Sequence, residues 1–341
     1  MKIAVLDSQT VLSPRRDGLL AGRLCEALAE HGHSAALIRI PFSERSPQTV
    51  VDQMLAVRLL HLHNVDRVVG LGFPAYLIPH GEKVVWMLRE FREAYDRWGT
   101  AGQGLPNTPL GRSVRASVLA ADQEYLGEAQ RIYVRSSGAG RRLTDYTGLQ
   151  SQVLHPPLRD PGAFRCDSYG DYVLALGPVG ADSCGRAAVE AIALAQSAAR
   201  LVIAGSPERR DDVAALRDLA ERLGVADRVE LIAHDIAEAE RVRLLAACRA
   251  VLCFGDPDGR LTQEACQSHK ATLAFAPECA LAALIDDGVT GAIVSSIAGL
   301  GLAIDALSDD AATAERYGDA AFDRLARSEI SWSTVVAELT K

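Results

Sequence analysis

Short apolar runs alternate along the chain with longer stretches in which apolar residues recur three or four positions apart. The second pattern is clear in Leu19–Ala29, where Leu20, Leu24 and Leu28 share one helix face. A run of strands and helices in strict alternation predicts parallel sheets with helical crossovers. The predicted strands are Lys2–Leu6, Ala35–Ile40, Arg67–Gly70, Ile132–Val134, Val173–Leu176, Leu201–Gly205, Val229–Ile232, Val251–Phe254 and Ala271–Ala276. The predicted helices are Leu19–Ala29, Val51–His61, 110–128, one opened by Ser136, Ala187–Ala198, Asp211–Leu223, Glu238–Cys248, one from about Leu261, one after Pro277, Gly299–Leu307, Ala312–Ser328 and Val335–Leu339.

The length of the chain, 341 residues, exceeds what one ordinary core holds and indicates two domains. The pair Pro156-Pro157 and the polar run Arg159–Ser168 mark the boundary. The first domain is therefore predicted over residues 1–160 and the second over 166–320.

Composition and charge exclude several classes of protein. The net charge is −8 with no long basic run, so nucleic acid is not expected as a partner. No apolar run approaches 18 residues, and Met1–Leu6 leads directly into a strand pattern, so neither a membrane span nor a signal peptide is predicted. The seven cysteines are scattered without metal-binding spacing, which favours reduced thiols, a cytoplasmic protein and no metal site.

The stretch Val251–Gly291 carries the clearest candidate chemistry. A strand ends at Phe254, a turn rich in glycine and aspartate follows, and a helix begins near Leu261. Open α/β sheets bind ligands at such turns, where the helix N-terminus suits a phosphate. Asp256 precedes this helix and Glu264 lies one turn inside it, where its carboxylate could accept hydrogen bonds from sugar hydroxyls. The alternative is an ordinary loop in which Asp256 caps the helix.

This stretch resembles the donor-binding signature of the GT-B glycosyltransferases of family 4. The family has two glutamates eight residues apart, and Asp256 stands in place of the first of them. The matching positions are Gly259, Leu261, Glu264, Ala265, Asp287, Gly288, Thr290 and Gly291.

A second stretch, Phe73–Thr100, resembles a run found in a subset of the same family. The matching positions are Phe73, Pro74, Tyr76, Pro79, His80, Lys83, Trp86, Phe91, Arg92, Tyr95, Asp96, Trp98 and Gly99. Arg89 replaces a histidine that lies close to the active site in the family. Arginine cannot shuttle protons, but it can bind phosphate or carboxylate in a bidentate manner. The alternative is that Arg89 and Arg92 are exposed helix residues paired with neighbouring acids.

The resemblance extends from the first strand to Trp332 and implies a fold, an activity and a set of partners. The implied fold is GT-B, with two Rossmann-like doubly wound domains that face a cleft and a C-terminal helix, 320–341, that crosses back onto the first domain. The implied activity is transfer of a hexose, with retention, from a nucleotide-diphosphate sugar bound by 166–320 to an acceptor on the side of 1–160. Neither a cofactor nor a metal is implied. The acceptor is not identified, and a membrane-surface partner, a protein partner and a homo-oligomer all stay open.

The resemblance also assigns candidate site residues. Catalytic roles fall to Glu264, Asp256 and Arg89. The candidate donor-binding residues are Gly18, Arg15, Arg16, Gly205, Arg186, His234, Gly259, Leu261 and Thr262. Arg15 and Arg16 lie on the loop after the first strand, where the alternative is a solvated pair.

Several positions depart from the family pattern. Asp17 replaces a glycine, Pro178 an arginine, and Ser183 or Cys184 a lysine. In the family, the missing arginine and lysine bind the donor diphosphate. Their replacement here would have to be Arg89, Arg15, Arg16 or Arg186. Two other functions therefore stay open: a catalytically silent partner or regulator of an active transferase, and another enzyme of the same fold, such as a nucleotide-sugar epimerase.

Overall fold

The computed structural model describes residues 1–10, 17–44, 46–99, 105–180, 184–207, 209–254, 256, 258–275 and 281–341. The chain divides into two compact units. Unit 1 comprises Met1–Arg159 and Glu329–Lys341, and unit 2 comprises Asp160–Ser328. None of the helices in the described part of the chain combines the length and the apolar character that crossing a membrane requires.

Unit 1 is built on a six-stranded parallel sheet in the order β2-β1-β3-β4-β5-β6. Its strands are β1 (Lys2–Thr10), β2 (Ser34–Phe42), β3 (Arg67–Gly72), β4 (Lys83–Arg89), β5 (Arg131–Val134) and β6 (Gln152–Val153). Its helices are α1 (Asp17–Glu30), α2 (Pro47–Arg58), α3 (Pro109–Leu126) and α4 (Ser137–Thr147), together with the C-terminal helix α11 (Trp332–Thr340).

Both faces of this sheet are covered, because alternate residues of each strand enter different cores. Leu6 and Val85 pack with α2, α3 and α4, whereas Val5 and Val84 pack with α1 and α11. The closing helix is also tied by polar contacts, since Trp332 Nε1 donates to the carbonyl of Leu158 at 2.9 Å. The residues 329–341 thus complete the core of unit 1.

Unit 2 is a second six-stranded parallel sheet, in the order β12-β11-β10-β7-β8-β9. Its strands are β7 (Tyr172–Leu176), β8 (Arg200–Ala204), β9 (Val229–Ile232), β10 (Ala250–Cys253), β11 (Ala271–Phe275) and β12 (Gly291–Val294). Its helices are α5 (Cys184–Leu194), α6 (Asp212–Arg222), α7 (Glu238–Ala247), α8 (Arg260–Gln267), α9 (Ile297–Asp309) and α10 (Ala311–Ala326).

Two doubly wound parallel sheets confirm the alternation predicted from the sequence, with several differences in detail. The strands β4, β6 and β12 were not among the predicted strands. Helix α2 starts at Pro47, a favoured first helical position, rather than at Val51. Helix α5 spans Cys184–Leu194 and not Ala187–Ala198. The helix predicted after Pro277 begins outside the described residues, and 282–284 form a short 3-10 turn.

Candidate functional site

The strand order of unit 2 places a crevice between β7 and β10. From β7 the chain crosses to β8 on one side, and it later returns to β10 on the other side, so the connections diverge there. Ligands of open α/β sheets bind in the crevice at such a switch point. A pocket of about 370 Å³ lies there, within the range of small-molecule sites. It is lined by Ala175, Leu176, Gly177, Pro178, Cys184, Gly185, Ile203, Arg241, Leu252, Phe254, Asp256, Arg260 and Leu261.

The first residues of two helices border this pocket. Cys184 and Gly185 begin α5, and Arg260 and Leu261 begin α8. The first amides of a helix have no partner within the helix, and the helix dipole makes that end positive. The pocket therefore suits an anionic group such as a phosphate.

Asp256 caps α8 from the loop before it. Its carboxylate accepts from Thr262 N at 2.9 Å, from Leu261 N at 3.3 Å and from Thr262 Oγ1 at 2.8 Å. The residue at the N-cap position, Gly259, has a φ of +71° and no side chain with which to cap. The contacts of Asp256 are therefore those of a helix cap, as the capping alternative proposed. That Asp256 also binds a sugar stays a prediction.

Replacing Asp256 with alanine should lower the free energy of unfolding of unit 2 by about 1 kcal/mol, because a capping oxygen is lost. The matched variant Asp256→Asn retains a capping oxygen and should cost less. Circular dichroism during denaturant unfolding measures both values. Equal stabilities for the wild type and Asp256→Ala would show that α8 does not depend on this cap.

Glu264 is fully buried and holds two arginines. Arg241 Nε lies 2.5 Å from Glu264 Oε2, and Arg260 Nε lies 2.6 Å from Glu264 Oε1. Both arginines also line the pocket. Burial of a carboxylate requires such pairing, because an unpaired charge is costly in the interior. Glu264 was predicted to accept hydrogen bonds from sugar hydroxyls, whereas the donors it meets here are two guanidinium groups.

These two arginines were missed by the sequence analysis. Arg260 precedes Glu264 by four residues on one helix, and this spacing could have indicated the pair. Arg241 lies on α7, 23 residues before Glu264, and no local pattern connects them. This contact therefore arises from tertiary packing.

Close backbone packing explains two of the predicted glycines. A side chain at Gly205 would lie 1.8 Å from the carbonyl oxygen of Gly177, where β7 and β8 end. A side chain at Gly259 would lie 2.2 Å from Leu281 Cγ, and the positive φ also favours glycine. The fold therefore explains why glycine occupies both positions.

The remaining predicted donor-site residues lie at separate places in unit 2. Thr262 is fully buried and donates to Asp256. Arg186 lies half exposed on α5, 3.7 Å from Glu190, and His234 lies exposed, 3.8 Å from Glu240. Neither of these two borders the pocket among its described lining residues.

Three of the predicted positions lie outside the described residues, namely Arg15, Arg16 and Ser183. Gly18 belongs to the first turn of α1. Within the described ranges, no group of three histidine, cysteine, aspartate or glutamate side chains is arranged to hold a metal ion.

Arg89 lies in unit 1, at the end of β4. The alternative that placed Arg89 on a helix was therefore wrong. Its Nη2 donates to Asp7 Oδ1 at 2.6 Å and to the carbonyl of Ser8. Gly72, between them on β3, leaves the space for this pair, since a side chain there would lie 3.1 Å from the guanidinium. Arg92 pairs with Asp96 at 2.5 Å, as that alternative proposed, but from a 3-10 turn.

A second pocket, of about 310 Å³, lies at the carboxyl ends of the strands of unit 1. The strand order 2-1-3 makes β1 and β3 the switch point of this sheet. The pocket is lined by Ser8, Phe42, Glu44, Phe73, Arg89, Glu90, Phe91, Arg92, Glu93, Arg97 and Arg135. Each unit thus carries a pocket where its topology predicts one.

Comparison with known proteins gives relatives by structure only. No protein-family model matches the sequence, and neither does any curated protein. The structure of Anabaena HepE in complex with UDP and glucose is similar, with a TM-score of 0.70 at 14% identity over 100% of this chain and 98% of that one. A glycosyltransferase from Rickettsia africae gives 0.71 at 13% identity, with coverage of 99% and 96%. WaaG, a glycosyltransferase of lipopolysaccharide biosynthesis, gives 0.70 at 16% identity, with coverage of 99% of each chain.

These similarities confirm the predicted fold class. The two six-stranded parallel sheets with flanking helices match the GT-B architecture of two Rossmann-like domains. At these identities the comparison establishes the fold and not the activity.

Proposed function

We propose that this protein is a retaining glycosyltransferase that transfers a hexose from a nucleotide-diphosphate sugar. The observation that carries the proposal is the pocket of unit 2. Two helix N-termini border it, and Arg241 and Arg260 add two guanidinium groups. Such a site offers the positive charge that a departing nucleotide diphosphate needs.

The two arginines compensate for the departures at Pro178 and at Ser183 or Cys184. A guanidinium has five N–H donors, so Arg241, which pairs with Glu264, keeps donors for phosphate oxygens. Glu264 holds Arg241 in place, and Asp256 fixes the first turn of α8. We assign the diphosphate to Arg241, Arg260 and the two helix ends, and the sugar hydroxyls to Asp256, while Glu264 positions the two arginines.

The structural neighbours support a nucleotide sugar as the donor. HepE has been crystallised with UDP, with UDP and glucose, and with UDP-glucose. The proposal places the donor in unit 2 and the acceptor in unit 1, and the family 4 assignment rests on the motifs of Asp256–Gly291 and Phe73–Gly99. We further propose a cytoplasmic enzyme that needs no metal. Free thiols at Cys25, Cys166 and Cys248 support a reducing compartment.

Nucleotide binding tests the proposal directly. A ligand that binds the native state at 100 times its Kd adds about 2.7 kcal/mol of stability. UDP or GDP should therefore raise the unfolding midpoint of unit 2 by several degrees. All three tryptophans, Trp86, Trp98 and Trp332, lie in unit 1, so their fluorescence serves as an internal control. Calorimetry that shows no shift with millimolar UDP or GDP would contradict the proposal.

A silent partner protein is the second candidate function. Glu264 is occupied by arginines and Arg89 by Asp7, and both contacts favour a structural role for residues that the family pattern makes catalytic. This candidate predicts that a nucleotide can bind while its sugar conjugates are neither transferred nor hydrolysed. Release of UDP or GDP from the sugar conjugates, followed with and without a panel of acceptors, separates the two candidates.

A further inference from the structure

Cys166 and Lys270 meet at the edge of unit 2 that lies opposite its pocket. Lys270 directly precedes β11 and Cys166 lies in the segment before β7, so both lie at the amino ends of the strands. Lys270 Nζ lies 3.0 Å from Cys166 Sγ and donates to the carbonyl of Ser168 at 2.6 Å. The same nitrogen lies 4.1 Å from the centroid of the Tyr169 ring. A thiol outside the proposed donor site therefore lies beside a cation.

The ammonium of Lys270 is fully buried, and no carboxylate of the described residues pairs with it. A buried charge is costly unless a group of opposite charge accompanies it. The carbonyl of Ser168 and the ring of Tyr169 are neutral partners. Cys166 is the contacting group that can become an anion, either by loss of the thiol proton or by oxidation. The surroundings of Lys270 therefore favour a negative charge on this sulfur.

The sulfur and the ammonium are held together by ordered parts of unit 2. Asp167 N and Ser168 N donate to the carbonyl of Ala246, at the end of α7, at 2.9 and 3.2 Å. These bonds fix the segment that carries Cys166. On the other side, Lys270 is fixed by β11, which pairs with β10 and with β12. The contact between the two side chains is therefore a property of the folded unit.

Two other thiols of the chain provide a comparison for Cys166. Cys248 is fully buried, and burial raises its pKa to about 12. Cys25 is partly exposed, as Cys166 is, but burial raises its pKa to about 11 and Glu26 adds to the rise. The thiolate is the reactive form of cysteine, and reactive cysteines lie in partly exposed, electropositive surroundings. Cys166 meets both conditions through its exposure and its contact with Lys270.

We propose that Cys166 is a modification site, at which a peroxide oxidises the sulfur beside Lys270 to a sulfenic acid. The thiolate sulfur attacks one oxygen of the peroxide, the S–O bond forms, the O–O bond breaks and hydroxide leaves. The attacked oxygen keeps its hydrogen, the sulfur loses two electrons, and the peroxide is reduced by the same two electrons. Ionisation of the sulfenic acid gives Lys270 an anionic partner. This modification is independent of the donor proposal, and failure of UDP to bind unit 2 would leave it intact.

The test is trapping of the sulfenic acid in the full chain after treatment with hydrogen peroxide. Dimedone reacts with sulfenic acids, and mass spectrometry of the peptides compares Cys166 with Cys25 in the same sample. Cys166 should be labelled about ten-fold faster than Cys25, or more. The ratio is measured within the wild-type protein, so it does not depend on the folding of any variant. Equal rates at the two cysteines, or no label at Cys166, would overturn the proposal.

Substitutions of Lys270 separate its charge from the exposure of the thiol. Lys270→Met removes the charge and should lower the rate of labelling at Cys166 about ten-fold. Lys270→Arg retains the charge and should recover part of the rate. Lys2→Met, which removes an exposed lysine from unit 1, is the control and should leave the rate unchanged. A Lys270→Met protein with the circular dichroism of the wild type and an unchanged rate would also overturn the proposal.

Discussion

Replacing Arg241 with glutamine should lower turnover of the donor sugar by about 10²–10³-fold, the usual loss when one charge-stabilising donor is removed. Arg241 borders the unit 2 pocket and is only 11% exposed, so solvent screens its charge weakly. The same variant should weaken UDP binding. Initial rates of nucleotide release from the sugar conjugate, together with UDP titration by calorimetry, measure both effects.

Arg243 provides a matched control two residues further along α7. It is 69% exposed and lies 3.7 Å from Glu240, away from the described lining of the pocket. Arg243→Gln should therefore leave turnover and UDP binding unchanged. Arg241→Lys retains the charge and should recover part of the UDP affinity. An Arg241→Gln protein with wild-type turnover would refute the role of Arg241 in diphosphate binding.

Replacing Asp122 with asparagine should remove a large pH dependence from the stability of unit 1. Asp122 is completely buried on α3, where Tyr76 donates to it at 3.0 Å and Tyr95 at 2.6 Å. Burial raises the pKa of this carboxyl to about 7, although the two tyrosine hydrogen bonds oppose the rise and nearby Glu90 adds to it. The ordinary value of 3.8 applies in the unfolded chain.

The folded and unfolded pKa values of Asp122 set the sign of its contribution to stability as the pH changes. Because the folded state retains the proton to higher pH, the contribution of Asp122 is fully present below about pH 4. It is lost as the pH rises from about 4 to 7, and the loss amounts to roughly 4 kcal/mol. The carboxyls with lowered pKa values, such as Asp96 and Glu128, lose their contributions as the pH falls. Between pH 4 and 7 the contribution of Asp122 therefore has the opposite sign to that of these carboxyls and of His33 and His155, whose pKa values burial lowers.

Urea unfolding followed by tryptophan fluorescence at a series of pH values measures this effect in unit 1. The difference in the free energy of unfolding between the wild type and Asp122→Asn should fall steadily from pH 4 to pH 7 and then level off. The contributions of the other carboxyls cancel in this difference. Asp145→Asn, at an exposed position of α4, is the control for the Asp-to-Asn substitution itself. A flat difference for Asp122→Asn would show that the buried carboxyl titrates normally.

The sequence predicted the local elements of the site well and its contacts poorly. The strand that ends before Asp256 and the helix that carries Glu264 were both located from the apolar pattern, because strand and helix periodicities are local. The capping alternative for Asp256 was also visible, since a cap acts over a few residues. By contrast, the helix start near Cys184 was placed three residues late, because its first turn lacks an apolar signal.

The apolar pattern of the sequence predicts two halves in which strands and helices alternate, because apolar faces are buried at periods of 2 and 3.6 residues. The resemblance to family 4 named this arrangement GT-B. Which charges meet depends on the tertiary packing. Arg241 reaches Glu264 across 23 residues, and Arg89 reaches Asp7 across 82. Strand order brings such residues together, and no local period records it. The buried Oε2 of Glu90, which accepts no hydrogen bond from the described residues, is likewise a property of its surroundings, because satisfaction of a buried acceptor depends on every element packed around it.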